Sequence, residues 1–404
     1  MTLDEYTPRR LLDPFAGIGT AVITAAEIGW DATAIELLPV GIATMRARLA
    51  ADHVDTTLFR NYLAQLEACT LDEMLSSGDY HFPHLRITEK AFPEQTERSL
   101  AGYRRFLDTI QDETVRYLFW FAGLATLEEV SYTRKDGQFL RWDVRSGRPL
   151  KSEFVKEKIL DFKPALIQRL RLMLDDIQYA EKGDLSKRVR IVHGSCLDEL
   201  PRLPNDHFGL IITSPPYCNR YDYTRTYALE LAYMGLGEKE VRELRQALIT
   251  STVENQLKTS QLKQSYLQRN ELDRYEAALR AFQEQAALQE VLFLLRRARD
   301  NRELNNNNVP DMVEGYFLEM SLVIYELSRV LAPGGYLIMV NDNVRYHGEE
   351  VPVDLILSDF ATQAGLSVER IWVLTRGKGN SSQQMSMFGR AELRKCVYVW
   401  AKPR

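Results

Sequence analysis

Asp13-Pro14-Phe15-Ala16-Gly17-Ile18-Gly19-Thr20 is the stretch on which the reading of the fold turns. Arg10-Leu11-Leu12 precedes it, short and mostly apolar, and Thr-Ala-Val-Ile-Thr-Ala-Ala-Glu-Ile-Gly follows over 20–29. The small apolar residues suit a helix packed closely on a sheet, and Gly29 suits its end. Ala32-Thr33-Ala34-Ile35-Glu36 reads as the next strand and Pro39 to Ala50 as a second helix. This is a βαβ opening, with the glycine turn at its first strand-to-helix junction. Gly17 and Gly19 let backbone approach a ligand closely, and the next helix aims its first N–H groups at that ligand. Glu36 stands 17 residues after Gly19 at a strand end, where an acid commonly binds ribose hydroxyls.

Beyond residue 50 the alternation stops. Residues 51–190 read as largely helical, with aromatic clusters such as Tyr117-Leu118-Phe119-Trp120-Phe121. Lys135-Asp136-Gly137 and Arg145-Ser146-Gly147 are turn signals, and Gln138 to Val144 between them reads as a strand of a hairpin. A helix starts at Lys163, with Leu166, Ile167, Leu170, Leu174 and Ile177 on one face. Strands resume at 189–194 and 208–213. Residues 237–303 read as a charged helical insertion, and Asn305 to Asn308 with Pro310 as a loop. A helix over 313–331 then turns at Pro333-Gly334-Gly335 into a strand at Tyr336 to Val340, and strands at 368–374 and 396–400 close the sheet. The fold class expected is α/β, a Rossmann-like sheet with two largely helical insertions. Its expected parts are 1–50 (cofactor motif), 51–188 (recognition region with a basic hairpin at 131–151), 189–236, 237–310 (helical insertion) and 311–404.

The second informative motif is Thr213-Ser214-Pro215-Pro216-Tyr217, directly after the apolar run Phe208 to Ile212. A buried strand ending in a rigid Ser-Pro-Pro-Tyr corner suits a site that grips the exocyclic amine of a flat base. With the glycine motif, it resembles the amino-methyltransferases of DNA, which use S-adenosyl-L-methionine. The serine form resembles most the cytosine-N4 branch. The resemblance covers all eight positions of 13–20, so Asp13, Pro14, Phe15, Ala16, Gly17, Gly19 and Thr20 are the implied cofactor residues. Phe15 would line the cofactor pocket, Asp13 would hold the loop or the amino group, and Glu36 matches the acid of the second family motif. The third motif reads Gly194-Ser195-Cys196-Leu197-Asp198, with serine where the family pattern has aspartate; Ser195 and Cys196 are the implied adenine contacts, and Asp198 an alternative. The family's helix ahead of the first motif would precede residue 10, so either another segment covers the methionine end or the reading frame begins late.

The implied chemistry is direct methyl transfer to an amine whose lone pair is delocalised into a ring. Ser214 and the Pro215 carbonyl would accept the two amine hydrogens; Pro215 and Pro216 fix their own φ and carry no N–H. Tyr217 would stack on a base flipped out of the duplex, with either Phe388 or Trp372 as the second face. No metal is expected. Cytosine-C5 enzymes use a cysteine directly after proline, whereas Tyr217 separates Pro216 from Cys218, so Cys218 reads as a packed thiol. His193 reads as structural.

A net charge of −5 does not advertise a nucleic-acid binder, so positive charge must be concentrated locally. The 131–151 hairpin supplies Arg134, Lys135, Arg141 and Arg145 with Trp142 interleaved, which suits phosphate contact. Arg220 follows the catalytic motif, and Asn380 and Gln383 lie between the last two strands, with side chains suited to base edges. Arg296-Arg297-Ala298-Arg299 is the sharp basic cluster of the second insertion. No apolar run approaches the ~18 residues of a membrane span, there is no signal-peptide pattern, and four scattered cysteines fit a reducing compartment, so a cytoplasmic place is expected. The expected partners are double-stranded DNA and a cognate restriction endonuclease or other defence-system protein. Adenine-N6 methylation, RNA guanine-N2 methylation and a catalytically silent cofactor-binding module stand as alternatives.

Overall fold

The computed structural model describes residues 6–75, 81–137, 139–150, 153–179, 183, 185–374, 389 and 393–404. Its strands are β1 (Arg10–Asp13), β2 (Asp31–Glu36), β3 (Thr133–Asp136), β4 (Phe139–Trp142), β5 (Val189–His193), β6 (Phe208–Thr213), β7 (Leu331–Asp342), β8 (Val344–Tyr346), β9 (Glu349–Val351), β10 (Ser367–Val373) and β11 (Lys395–Ala401). Seven of them form one sheet in the order β10-β11-β7-β6-β1-β2-β5. β1 pairs in parallel with both β2 and β6, and β6 with β7, whereas β11 is antiparallel to β7 and β10. β2 and β6 thus leave β1 in opposite directions across the sheet. That makes the carboxyl end of β1 a topological switch point, where open α/β sheets bind ligands. The expected Rossmann-like α/β sheet is present.

The chain divides into two compact units. One comprises residues 1–37, 187–221 and 246–404 and contains the seven-stranded sheet. Its core runs from Leu12 and Ile35 through Phe208, Ile211, Leu337 and Met339 to Tyr398 and Trp400, all fully or nearly fully buried. The long helix Val309–Val330 is part of that core, and so are Tyr266, Tyr275, Phe282, Leu288, Leu292 and Leu295 of the helices between 259 and 300. Most of the second helical insertion therefore packs into the sheet unit's own core. Its basic cluster is partly answered by acids on the long helix: Arg296 meets Glu314 and Arg299 meets Asp311.

The other unit comprises residues 38–186 and 222–245 and is mainly helical. Phe59, Phe119, Leu166, Leu170 and Leu231 are among its fully buried side chains. Of the helical face expected from Lys163 onward, Leu166, Leu170, Leu174 and Ile177 are buried and Ile167 partly so. β3 and β4 form the expected antiparallel hairpin. Residues 222–245, which the sequence alone assigns to the core and the second insertion, belong here.

Two local expectations change. The long helix begins at Val309, not 313, because Pro310 sits in its first turn, where a missing N–H leaves no bond unmade. Pro333-Gly334-Gly335 lies within β7, where Gly334 takes φ +76 and the pairing with β6 shifts register. Antiparallel pairing with β11 begins only at Tyr336.

Candidate active site

Both motifs leave the sheet at its carboxyl edge from adjacent strands. Gly17 and Gly19 take φ +53 and +81, in the left-handed region that glycine enters without strain. The turn closes through Gly19 N–H to the Ala16 carbonyl (2.7 Å), and Gly19 caps the helix Thr20–Glu27. A side chain at Gly17 would meet nothing within 4 Å, so the turn opens onto space. Glu36, 8% exposed, accepts N–H bonds from Gly17 (2.6 Å) and Leu37 (2.8 Å). The acid at the end of β2 therefore also holds the turn at the end of β1. A largely buried carboxylate beside an open glycine turn fits a ligand that offers sugar hydroxyls.

Asp13, 6% exposed, joins the two motifs. Its Oδ1 accepts the hydroxyl of Thr213 at 2.8 Å and the N–H of Phe15 at 3.1 Å. Burial raises its pKa from an ordinary 3.8 to about 6, against the opposing pull of those two bonds. The carboxyl thus holds the loop through the Phe15 N–H and the end of β6 through Thr213. Thr213, not singled out from the sequence, is the last residue of β6 and ties the Ser-Pro-Pro-Tyr corner to the glycine turn.

At the corner Ser214 is exposed, and Pro215 and Pro216 are buried. Ser214 Oγ lies 3.1 Å from the Tyr217 hydroxyl and donates to the Val340 carbonyl at 3.4 Å. A hydroxyl that donates there keeps lone pairs to accept other hydrogens. Lys395, at the start of β11, places its ammonium 5.8 Å from the Tyr217 ring centroid and 4.0 Å from the Asp342 carboxylate at the end of β7. Cys218 is fully buried, and burial pushes its thiol far above the ordinary range, which keeps it un-ionised.

Ser195 is buried at the start of a short helix, and its hydroxyl donates to the Ala247 carbonyl at 3.1 Å. Cys196 is buried as well, and Asp198 is exposed. Trp372 is half-exposed on the edge strand β10, at the same end of the sheet as the corner. Arg220 has φ +67 and partial exposure. Asn380, Gln383 and Phe388 lie outside the described residues.

The hairpin cations are largely committed within their own unit. Lys135 donates to Glu230 at 2.5 Å and lies 3.7 Å from Glu128. Burial works against its charge, but the carboxylates of Glu230 and Glu128 outweigh that and raise its pKa. Arg145 binds buried Asp143 through two N–H bonds (2.8 and 2.6 Å) and also donates to the Lys156 carbonyl. It holds Asp143 well below the usual carboxylate range. Arg141 pairs with Asp136 at 3.1 Å and covers the Phe154 ring. Trp142 is packed on the core beneath the Arg148 guanidinium. Lys135, Arg145 and Trp142 each have partners within the hairpin's own unit: carboxylates for Lys135 and Arg145, and the Arg148 guanidinium over the Trp142 ring. Arg134 is exposed.

Among the described residues no cluster of three or more His, Cys, Asp or Glu side chains is arranged to hold a metal ion, and no helix is long and apolar enough to cross a membrane. No family model matches the chain. It is 44% identical to the type II methyltransferase M.AvaI of Nostoc sp. strain PCC 7120 over 98% of its own length and 80% of the relative's. The protein of the same name from Anabaena variabilis gives the same figures. The type II methyltransferase M.BsoBI of Geobacillus stearothermophilus is 38% identical, over 97% of this chain and 80% of that one.

Proposed function

Because the chain belongs to the type II methyltransferases, we propose that it transfers a methyl group from S-adenosylmethionine to the exocyclic N4 amine of cytosine in double-stranded DNA. The observation that carries this reading is the junction of the two motifs. Ser214 stands at the end of a buried strand, and its neighbour Thr213 is bonded at 2.8 Å to Asp13 of the glycine turn. A group that grips an amine and a turn that fits a nucleoside ligand are thereby fixed on adjacent strands.

The residues fit the cofactor. Glu36 would accept the ribose hydroxyls, Asp13 would face the amino group, and Gly17 leaves room for close approach. When bound, the cofactor supplies an electrophilic methyl on a sulfonium centre. The chain must orient the amine and free its lone pair. Ser214 Oγ and the Pro215 carbonyl accept its two hydrogens, which favours a pyramidal nitrogen over one conjugated with the ring. These acceptors are in place before the reaction, so little reorganisation is needed during it. Tyr217 covers one face of the extruded base, which must leave the stack to be reached. Burial keeps the Cys218 thiol protonated, which sets it apart from a cysteine nucleophile.

The test is methyl transfer from labelled S-adenosylmethionine to mixed-sequence duplex DNA, followed by digestion to nucleosides and mass analysis. N4-methylcytosine is expected. N6-methyladenine would overturn the base assignment and leave the site chemistry standing. Label found only on RNA would overturn the substrate.

A further inference from the structure

The loop that follows the catalytic corner is held from two sides by hydroxyls that belong to neither motif. Within the loop, the Asn219 N–H donates to the Tyr217 carbonyl (2.7 Å) and the Tyr221 N–H to Asn219 Oδ1 (3.2 Å). Arg220 holds φ +67, a conformation disfavoured for a residue with a Cβ. Bonds that span two residues shape a turn. Two side chains distant in sequence tie it to the rest of the sheet unit. The Tyr346 hydroxyl donates to the Cys218 carbonyl at 2.6 Å, and the Ser251 hydroxyl donates to the Tyr221 carbonyl at 3.2 Å.

Each donor is rigidly built. Tyr346 ends β8, directly before His347-Gly348, whose φ values of 50 and 84 belong to a tight two-residue hairpin turn. Only Asn343 separates β8 from β7, the strand beside β6. Burial keeps the Tyr346 pKa well above its ordinary value, so the hydroxyl remains a donor at any working pH. Ser251 is buried in a loop fastened to the long helix. There the Thr250 N–H (2.8 Å), the Thr250 hydroxyl (2.6 Å) and Lys258 (3.0 Å) all converge on the buried carboxylate of Glu319.

We propose that Tyr346 and Ser251 are positioning residues for methyl transfer, fixing the Tyr217–Tyr221 loop by its carbonyls so that Tyr217 and the Pro215 carbonyl keep their places at the amine. This rests on the reading of Ser214 to Tyr217 as the catalytic corner. Displacement of reacting groups by about an ångström is enough to cost a hundredfold in rate. Tyr346→Phe in the full chain should therefore lower kcat by about 10- to 100-fold, and Ser251→Ala by less, since its bond is longer. KM for cofactor and for DNA should stay within about threefold, because the proposed role of both residues is to hold loop carbonyls and not to bind either substrate.

Tyr103→Phe is the matched control. It removes a tyrosine-to-carbonyl bond of similar length (Tyr103 to Phe119, 2.7 Å) within the helical unit. It should lower the melting temperature comparably and leave kcat unchanged. Wild-type kcat in Tyr346→Phe, or an equal kcat loss in Tyr103→Phe, would overturn the positioning role. Amide hydrogen exchange over 217–221, measured without substrates, tests the restraint separately: it should quicken in Tyr346→Phe, and unchanged exchange overturns the proposal whatever the wild type methylates. A wild type that methylates no nucleic acid overturns the catalytic reading instead.

Discussion

Replacing Asp13 with asparagine should stabilise the protein while weakening its cofactor site. Asp13 Oδ1 accepts both the Thr213 hydroxyl and the Phe15 N–H, and an amide oxygen can accept the same two bonds. The substitution thus removes a buried charge and keeps its partners. The carboxyl is displaced from 3.8 to about 6, and at ~1.4 kcal/mol per tenfold change in acidity this amounts to about 3 kcal/mol. An acid raised in the folded state favours folding only when protonated. Its contribution is present in full below about pH 4 and is lost as pH rises through about 6. Asp13→Asn should therefore gain up to about 3 kcal/mol at pH 7.5 and roughly half that at pH 5. Urea denaturation of both proteins at the two pH values measures the gap. Equal stability at pH 7.5, or a gap that does not change with pH, would refute the argument. Cofactor affinity, measured by calorimetry, should fall in the variant; in the wild type it should rise as pH increases through about 6, if, as proposed, the ionised carboxylate faces the cofactor's positive amino group.

Ser214→Ala and Tyr217→Ala should each abolish labelling of DNA while a gel-shift assay shows most binding retained; unchanged activity would remove the assigned mechanism. Cys218→Ala should keep methyl transfer, and thiol reagents should leave native Cys218 unmodified, as mass spectrometry of labelled protein would show. Lys135→Ala should cost about 3 kcal/mol in unfolding, because Glu230 is left buried without its cation. Its salt dependence of DNA binding should match the wild type. Arg134→Ala should reverse that pattern, with stability kept and the slope of log affinity against log salt reduced by about 1.

The short-range parts of this protein were legible in its sequence. The glycine turn demands left-handed backbone at Gly17 and Gly19, the run 208–212 demands burial, and prolines after Ser214 preclude continued pairing; each of these is a property of neighbouring residues. The hairpin at β3 and β4 was legible for the same reason, through its turn signal. What charge does in the hairpin was not. Lys135 and Arg134 are adjacent and alike as residue types, yet Lys135 meets Glu230, 95 positions away, and Arg134 is exposed. Neither was it legible that most of the charged helices after 258 belong to the sheet unit's core, since amphipathic spacing shows which face is buried and not against what.

The sequence by itself determined the α/β class, the two motifs and the kind of chemistry that their side chains suit, because backbone freedom, strand burial and donor–acceptor character are local quantities. Only the tertiary structure decided that β1 and β6 are neighbours, which brings Thr213 to Asp13, and that Tyr346 and Ser251 reach the carbonyls of the loop after the Ser-Pro-Pro-Tyr corner. Those contacts join residues 30 to 200 positions apart. Their geometry depends on strand order and on how helices are fastened beneath the sheet, and no spacing along the chain encodes either.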